Sequence, residues 1–414
     1  MHKKRVILIV GDGIADRPLP ELNGRTPLEV ANPLNMHRLA ANGISGLLDP
    51  VASGIVPGTE TAHLSILGYD PAIVSSGRGP FEAVGAGIDV KSGDVAFRCN
   101  FATVTEDFIV VDGRAGRIQA EAAELAKELQ KIQIKKFPNV KFIFKQTLSF
   151  RGALVLRGEK LSPNVSAVMP QPGDFVGSVK PSNESFEATR TAQILTEFII
   201  TSNALLKNHP INLKRKAQGN PVANVVLPWG GGYLPQMEPF NKKYGLKSAC
   251  VAAASVIKGI GRLVGMDIVN VKGATGEIDT DTTAKADAVL KLLKDHNFVL
   301  VHVEAADEAS HDGNVEGKIE IIKKIDAMVG RILDNISFDD VNVVLLSDHV
   351  TSTQLRKHTA DPVPFVVAGD KVIKDGVKEF SECAACKGGL QRIQGKQVMP
   401  LIMDLLNNSN RTLG

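Results

Sequence analysis

Aspartate and histidine residues with the spacing of a metal site follow one of the apolar segments of this sequence. The segment Phe298–Val303 predicts a buried strand, and Asp307 and His311 come shortly after it, four residues apart. On a helix, residues at that spacing share one face with Cβ atoms about 5–6 Å apart, so a carboxylate and an imidazole could bind one divalent ion. An exposed acidic turn with an unrelated histidine would have the same local sequence, so this pair alone leaves both interpretations open.

Two further apolar segments are also followed by candidate ligands. Asp12 follows Val6–Val10, and Asp348, His349 and His358 follow Val341–Ser347. In open α/β sheets, ligands bind outside the carboxyl ends of the strands, so these residues would meet at one edge. Three carboxylates and three imidazoles are costly to bury together unless metal ions neutralise the charge. Six candidate ligands suit two divalent ions better than one.

A hydroxyl that could act as a nucleophile stands near residue 59. Pro57 and Gly58 predict a turn, and Thr59 occupies the position where a helix would begin. Such a hydroxyl is commonly a helix cap, although Ala62 lacks the side chain that completes a capping box. Alternatively, the helix N-terminus could bind a phosphate and an adjacent metal could activate Thr59. The sequence leaves cap and nucleophile open, and His63, one turn later, could contact the substrate.

The elements that would position these residues alternate between strands and helices. This pattern predicts an α/β fold with a doubly wound, mostly parallel sheet covered on both faces. From residue 86 to 222 a βαβ-type segment with two long amphipathic helices intervenes. We therefore predict a core of residues 1–85 and 223–414 and an inserted, smaller α/β domain of residues 86–222. The glycine-rich segment Trp229–Gly232 predicts a flexible turn or a plain linker.

Four arginines in and near the inserted segment are candidate anion-binding residues. They are Arg78, Arg98, Arg114 and Arg117. The planar guanidinium can hold a carboxylate or a phosphate through two parallel hydrogen bonds. Arg114 and Arg117 would point in similar directions if the turn between them is helical. Taken singly, each of these arginines is more readily interpreted as a solvated surface residue.

The composition narrows the class of protein. Hydrophobic residues make up 43% and charged residues 22% of the 414 residues, which is ordinary for a soluble globular protein. A net charge of +3 and an aromatic content of 5% argue against nucleic-acid binding. We find no apolar run of about 18 residues that would span a membrane, and the first apolar segment is too short for a signal peptide. Four cysteines fit a reducing compartment, so we expect a cytoplasmic protein.

Several of these motifs together resemble a known family. The motifs are Gly11–Gly13, Pro57–Leu64, Gly68–Pro71, Gly77–Ala83, the pair Asp307 and His311, and Asp348–His349. In order and number they are similar to those of the archaeal-type cofactor-independent phosphoglycerate mutases, which belong to the alkaline phosphatase superfamily. The resemblance extends from Val6 to about Leu405. One departure is that this chain has Thr59–Glu60 where the family typically has Ser-Asp.

The resemblance implies roles for individual residues. It implies two divalent ions, such as manganese, zinc, magnesium or cobalt, and a phosphoenzyme on Thr59. One ion would be held by Asp307, His311 and His358, and the other by Asp12, Thr59, Asp348 and His349. The substrate would be bound by His63, Arg78, Arg98, Arg114, Arg117 and Lys285. Compared with serine, Thr59 carries an extra methyl group that restricts its χ1 angle. Whether this substitution changes the rate or the substrate is left open.

The resemblance implies that the protein is an isomerase of glycolysis and gluconeogenesis that acts on a small molecule. It would interconvert 3-phosphoglycerate and 2-phosphoglycerate without 2,3-bisphosphoglycerate. The alternatives are a metal-dependent phosphohydrolase, phosphodiesterase or other phosphomutase of the same superfamily, and a catalytically inactive homologue that binds a metabolite or a partner protein. Arginines that could hold a small anion favour the mutase, and the complete set of six ligands argues against an inactive homologue. The sequence leaves open whether the chain forms a homo-oligomer.

Overall fold

The chain forms two compact units in its computed structural model, which describes residues 4–74, 77–167 and 169–406. The core unit comprises Met1–Val74 and Met237–Gly414, and the inserted unit comprises Ser75–Gln236. The predicted insertion, residues 86–222, lies within the inserted unit. None of the helices in the described ranges has both the length and the apolar character needed to cross a membrane.

Strands and helices alternate along most of the chain. The strands are β1 (Arg5–Gly11), β2 (Gly43–Asp49), β3 (Val95–Val104), β4 (Val110–Asp112), β5 (Lys141–Gln146), β6 (Arg151–Arg157), β7 (Val225–Tyr233), β8 (Ser248–Val251), β9 (Asp267–Val269), β10 (Phe298–Val303), β11 (Val341–Leu346), β12 (Val350–Ser352), β13 (Lys357–Thr359), β14 (Val363–Ala368) and β15 (Arg392–Gln394). The helices are α1 (Pro27–Ala31), α2 (Leu34–Ala41), α3 (Thr59–Ile66), α4 (Pro71–Val74), α5 (Gly79–Gly85), α6 (Glu121–Leu129), α7 (Phe186–Leu206), α8 (Pro210–Ala217), α9 (Phe240–Tyr244), α10 (Ser255–Leu263), α11 (Thr282–Leu292), α12 (Ala305–His311), α13 (Val315–Leu333), α14 (Glu382–Ala385) and α15 (Val398–Leu405).

The core unit is built on a sheet with the strand order β15-β2-β14-β11-β1-β10-β8-β9. The strand β1 pairs in parallel with β10 on one side and with β11 on the other. Parallel pairing continues through β8 and β9, whereas β14 is antiparallel to both β11 and β2. The strands that carry the candidate ligands are therefore three neighbours at the centre of the sheet.

Helices cover both faces of this central sheet. In β1, Ile7 and Ile9 belong to a hydrophobic cluster that includes residues of α2, α11 and α13. The residues that point the other way, Val6, Leu8 and Val10, are equally buried. Parallel strands buried on both faces have nearly continuous apolar sequences, which is why β1, β10 and β11 are recognisable in the sequence. The predicted α/β fold with a doubly wound, mostly parallel sheet is confirmed.

The inserted unit has a second sheet with the order β4-β3-β6-β5, in which β7 also pairs with β3. All of these pairs are antiparallel, unlike the βαβ connection that the sequence pattern predicts. The strands β5 and β6 form a hairpin, because a short connection permits only antiparallel pairing. Residues of α6 and α7 pack with the sheet in one hydrophobic cluster.

The glycine-rich segment Trp229–Gly232 is part of the strand β7, so the predicted turn is wrong. A Cβ atom added at Gly231 would lie 2.4 Å from the ring of Phe97 on β3. The glycine therefore allows β7 to approach β3 closely, and glycine in a strand commonly marks such an approach. The predicted boundary at residue 223 assigns β7 to the core, whereas its pairing with β3 makes it a strand of the inserted unit.

Candidate functional site

The carboxyl ends of three neighbouring strands bring the predicted aspartates together. Asp12 directly follows β1, Asp348 follows β11, and Asp307 lies in α12, which begins shortly after β10. All three side chains are buried. This position at the carboxyl edge of a parallel sheet is the one where open α/β folds bind their ligands.

One group of candidate ligands surrounds Asp307. Its Oδ1 atom lies 3.4 Å from His311 Nε2 and 3.3 Å from His358 Nε2, and these two nitrogens are 3.3 Å apart. The other ring nitrogens make backbone contacts, since His311 Nδ1 is 2.8 Å from the Arg356 carbonyl and His358 Nδ1 is 2.9 Å from the Pro57 carbonyl. When Nδ1–H donates to a carbonyl, Nε2 keeps its lone pair for a metal ion. Asp307 and His311, the pair predicted from the sequence, thus form a group of three with His358.

A second group lies around Asp12 and Asp348. The Nε2 atom of His349 is 3.2 Å from Asp12 Oδ1 and 3.3 Å from Asp348 Oδ2. Two further imidazoles contact the same carboxylates, with His302 Nε2 at 3.1 Å from Asp12 Oδ2 and His63 Nδ1 at 3.6 Å from Asp348 Oδ2. His302 was not among the site residues predicted from the sequence. A histidine in an otherwise apolar buried strand is the signal that could have identified it.

The two groups are contiguous through His349. Ligand atoms of Asp307, His349 and His358 lie within 4.8 Å of one another, and so do those of Asp12, Asp348 and His349. The rings of His349 and His358 are stacked with their centroids 3.7 Å apart. His349 therefore lies where it could serve either group.

The buried carboxylates of the site repel one another, so a positive charge between them would be stabilising. Burial, reinforced by the neighbouring carboxylates, raises the pKa of Asp12 well above its usual range and that of Asp348 to about 7. Burial also favours protonation of Asp307, but His311 and His358 outweigh it and hold the pKa of Asp307 well below its ordinary value. Burial lowers the pKa of His349 well below that of a free imidazole. Crowded carboxylates beside a neutral imidazole are an arrangement that a metal ion stabilises.

Buried acceptor atoms in the second group support the fit of a cation. Asp12 Oδ1, both carboxylate oxygens of Asp348 and His349 Nε2 are buried and make no hydrogen bond within the described ranges. A buried polar atom without a partner is costly, and a divalent ion would satisfy oxygen and nitrogen acceptors together. The donor set therefore fits the metal ions implied by the resemblance.

Thr59 is the first residue of α3, not its cap. The N-cap is Gly58, whose backbone N–H donates to Thr61 Oγ1 at 2.9 Å. Thr59 is buried, and its hydroxyl makes no hydrogen bond to any residue that the structure describes. The Nδ1 atom of His63 is 2.8 Å from the Thr59 carbonyl and 3.6 Å from Asp348 Oδ2, so the first turn of α3 is held at the second group. Of the two interpretations of Thr59, the helix cap is wrong.

Arginines of the inserted unit surround the buried carboxylate of Glu82. The carboxylate Oε1 lies 2.9 Å from Arg78 Nε and 3.2 Å from Arg98 Nη1, and Arg98 stacks 4.9 Å from the ring of Trp229. Burial raises the pKa of Glu82, but Arg98, Arg78 and Arg151 outweigh it and lower the pKa overall. The buried Arg151, at the start of β6, is a member of this cluster that the sequence analysis missed.

Arg114 and Arg117 flank a left-handed turn. The φ angles of Ala115, Gly116 and Arg117 are 47°, 60° and 54°. Asp112 supports the turn, because its carboxylate accepts hydrogen bonds from the N–H groups of Arg114 at 2.8 Å and Gly116 at 2.7 Å. The helical turn that would align the two arginines is therefore wrong. Left-handed residues other than glycine are strained, and such strain is often found at functional sites.

Lys285 is fully buried in the core unit. Its ammonium donates a hydrogen bond of 2.9 Å to the carbonyl of His302, and burial lowers its pKa to about 8. The buried Lys285 side chain therefore supports the strand that carries His302. This position argues against the direct contact with substrate that the resemblance implies for Lys285.

Comparisons with known proteins agree with this geometry. A model described as the Metalloenzyme superfamily matches residues 4–405. A relative from Methanothermobacter thermautotrophicus, named 2,3-bisphosphoglycerate-independent phosphoglycerate mutase 1, is 45% identical over 410 residues, which cover 99% of each chain. A solved structure of a protein from Pyrococcus horikoshii is 36% identical, with a TM-score of 0.83 and 100% of both chains covered.

A second solved structure carries the same activity in its name. The cofactor-independent phosphoglycerate mutase from Thermoplasma acidophilum is 33% identical, with a TM-score of 0.64, covering 97% of this chain and 100% of its own. Sequence identity at this level, over nearly complete chains, shows a shared family as well as a shared fold. The chain therefore belongs to the Metalloenzyme superfamily and, within it, to the 2,3-bisphosphoglycerate-independent phosphoglycerate mutases.

Proposed function

We propose that the chain transfers a phosphoryl group between the 3- and 2-hydroxyls of glycerate without 2,3-bisphosphoglycerate, as an isomerase of glycolysis and gluconeogenesis. The observation that carries the proposal is the buried group of aspartates and histidines at the start of α3, whose first residue is Thr59. Membership of the mutase family supports the same substrate class.

Two divalent ions are the proposed cofactors. The proposed ligands are Asp307, His311 and His358 for one ion, and Asp12, Asp348, His349 and Thr59 for the other. When bound, the ions supply positive charge that favours an ionised hydroxyl and neutralises the phosphoryl oxygens. Imidazole donors suit zinc and carboxylates suit manganese and magnesium, so manganese and zinc are the first ions to test, followed by magnesium and cobalt.

Thr59 is the proposed phosphoryl acceptor. The Thr59 hydroxyl gives up its proton and its oxygen forms a bond to phosphorus, while the bond from phosphorus to the substrate oxygen breaks. The released substrate oxygen takes up a proton, so the proton count is unchanged. The backbone N–H groups and the positive dipole end at the start of α3 would stabilise the phosphoryl oxygens. His63 holds this turn through its contact with the Thr59 carbonyl at 2.8 Å. Glycerate stays bound, turns, and its other hydroxyl takes the phosphoryl group back from Thr59.

Arginines of the inserted unit are the proposed contacts for the carboxylate and phosphate groups of the substrate. The candidates are Arg78, Arg98, Arg114 and Arg117, joined by Arg151. Guanidiniums bind carboxylates through paired, charge-assisted hydrogen bonds, and the buried cluster around Glu82 gives this region positive character. Holding glycerate while excluding water is what separates a mutase from a phosphatase.

A coupled assay of 3-phosphoglycerate turnover tests this proposal. Enolase in the assay converts 2-phosphoglycerate to phosphoenolpyruvate, which absorbs in the ultraviolet. We expect turnover with Mn²⁺ and without 2,3-bisphosphoglycerate. Release of inorganic phosphate without formation of 2-phosphoglycerate would instead support the phosphohydrolase alternative and overturn the mutase.

The proposed compartment is the cytoplasm, where phosphoglycerates are metabolised. The cysteines support a reducing environment, since Cys99, Cys250, Cys383 and Cys386, all within the described ranges, form no disulfide. Localisation of a tagged full-length chain by cell fractionation tests this assignment, and recovery from the membrane fraction would contradict it.

A further inference from the structure

A single buried hydroxyl joins the two groups of proposed metal ligands. Thr351, on β12, is completely buried, and its Oγ1 atom donates a hydrogen bond of 2.7 Å to Asp307 Oδ1. The same Oγ1 atom lies 2.9 Å from His349 Nδ1. Asp307 belongs to the first group and His349 to the second, so one side chain contacts ligands of both.

The proton count at this hydroxyl fixes the tautomer of His349. A hydroxyl has one proton to donate, and Thr351 uses it on Asp307. The contact with His349 is therefore a hydrogen bond in which Nδ1–H donates to a lone pair of Oγ1. His349 Nε2 is then left without a proton, and it is this nitrogen that lies 3.2 Å from Asp12 and 3.3 Å from Asp348.

Backbone contacts hold Thr351 in this position. Its carbonyl accepts a hydrogen bond of 2.9 Å from Lys318 Nζ, which also lies 2.8 Å from Asp16 Oδ2. In the antiparallel pair of β12 and β13, Thr351 is directly opposite His358. A Cβ atom added at Gly13 would lie 2.8 Å from Thr351 Oγ1, so the loop after Asp12 also packs against the hydroxyl.

We propose that Thr351 is a positioning residue that couples the two metal sites, by orienting Asp307 toward one ion and fixing His349 with Nε2 as the ligand atom for the other. The inference rests on the metal binding of the proposed function and extends it to a residue that touches neither the ions nor the substrate. Partners that orient metal ligands typically contribute 10–100-fold to metal affinity. A hydroxyl that only filled the core would contribute to stability alone.

Three variants of the full-length chain test the inference. Thr351→Val keeps the shape and removes the hydroxyl, whereas Thr351→Ser keeps the hydroxyl. Thr282→Val is the matched control, because Thr282 is also buried in the core unit, and its Oγ1 atom donates a hydrogen bond of 3.1 Å to the Lys324 carbonyl rather than to a proposed ligand. Each metal-free variant is titrated with Mn²⁺ and with Zn²⁺ by calorimetry, and its melting temperature is recorded without metal.

We expect both metal sites of Thr351→Val to bind Mn²⁺ and Zn²⁺ roughly 10–100-fold more weakly than those of the wild-type chain. Thr351→Ser should recover most of the affinity. Thr282→Val should lower the melting temperature and leave metal affinity unchanged. Wild-type affinity for both ions in Thr351→Val would overturn the inference while leaving the proposed metal sites intact. A wild-type chain that binds neither ion would instead overturn the proposed function.

The tautomer of His349 provides a second readout that does not depend on how the variants fold. In the metal-free wild-type protein, ¹⁵N–¹H correlation spectra of the histidine rings should find the proton of His349 on Nδ1. A proton on Nε2 would overturn the inference even if Thr351→Val failed to fold.

Discussion

Thr59 is the residue on which the proposed chemistry depends. Its hydroxyl does not cap α3, because Thr61 accepts the N-cap hydrogen bond from Gly58. We predict that Thr59→Ala lowers kcat for phosphoglycerate conversion by roughly 10³-fold or more, as expected for loss of a nucleophile. Thr59→Ser should remain active because it keeps the oxygen. Thr61→Ala is the control, since loss of a cap contact costs about 0.5–2 kcal/mol of stability and spares the chemistry.

Arg114 is one of the proposed substrate contacts, and it stands at the start of the left-handed turn that ends at Arg117. We predict that Arg114→Ala lowers kcat/KM by about 1.5–3 kcal/mol in free-energy terms, the typical effect of one hydrogen bond to a charged group. Arg190→Ala in the same unit is the control, because Arg190 is also partly buried and lies over a phenylalanine ring. Equal kinetics for the two variants would mean that Arg114 does not bind the substrate.

At the scale of elements, α13 is fastened to the loop after β1 by a buried ion pair. Lys318 Nζ is fully buried and lies 2.8 Å from Asp16 Oδ2. We predict that Lys318→Met lowers the free energy of unfolding by about 3–5 kcal/mol, because it leaves the Asp16 charge buried without its partner. Urea denaturation measures this loss. Arg331→Met on the same helix removes an exposed pair and should cost about 1 kcal/mol or less.

The central strands, which are buried on both faces, were predictable from the sequence. The strand β7, which depends on contacts with a distant strand, was not. The strands β1, β10 and β11 have continuous apolar sequences, so their carboxyl ends located most of the aspartates and histidines of the site. By contrast, β7 has the composition of a turn, and it is a strand because it pairs with β3, which is distant in sequence.

The missed site residues share a similar cause. His302 and Arg151 are single polar residues within strands, and their contacts come from distant parts of the chain. The left-handed turn after Arg114 was missed because it depends on hydrogen bonds from the backbone to Asp112. No local periodicity records such contacts.

For the whole molecule, metal binding should control both activity and stability. Buried carboxylates that lack partners destabilise the metal-free core unit, and an ion that binds only the folded state adds about 2.7 kcal/mol at 100 times its Kd. We predict that removing metal with a chelator abolishes turnover and lowers the melting temperature, and that Mn²⁺ or Zn²⁺ restores both. Full activity in a chain shown by elemental analysis to hold no metal would contradict the two-metal proposal.

The most direct test of the central claim is to find where the phosphoryl group resides during the reaction. The metal-loaded chain is mixed with 3-phosphoglycerate in the absence of 2,3-bisphosphoglycerate, quenched in acid within one turnover, and digested for mass spectrometry. The proposed mechanism predicts a phosphorylated peptide with the modification on Thr59. Phosphate on Thr61 or Ser65 instead, or turnover by a chain that never becomes phosphorylated, would contradict it.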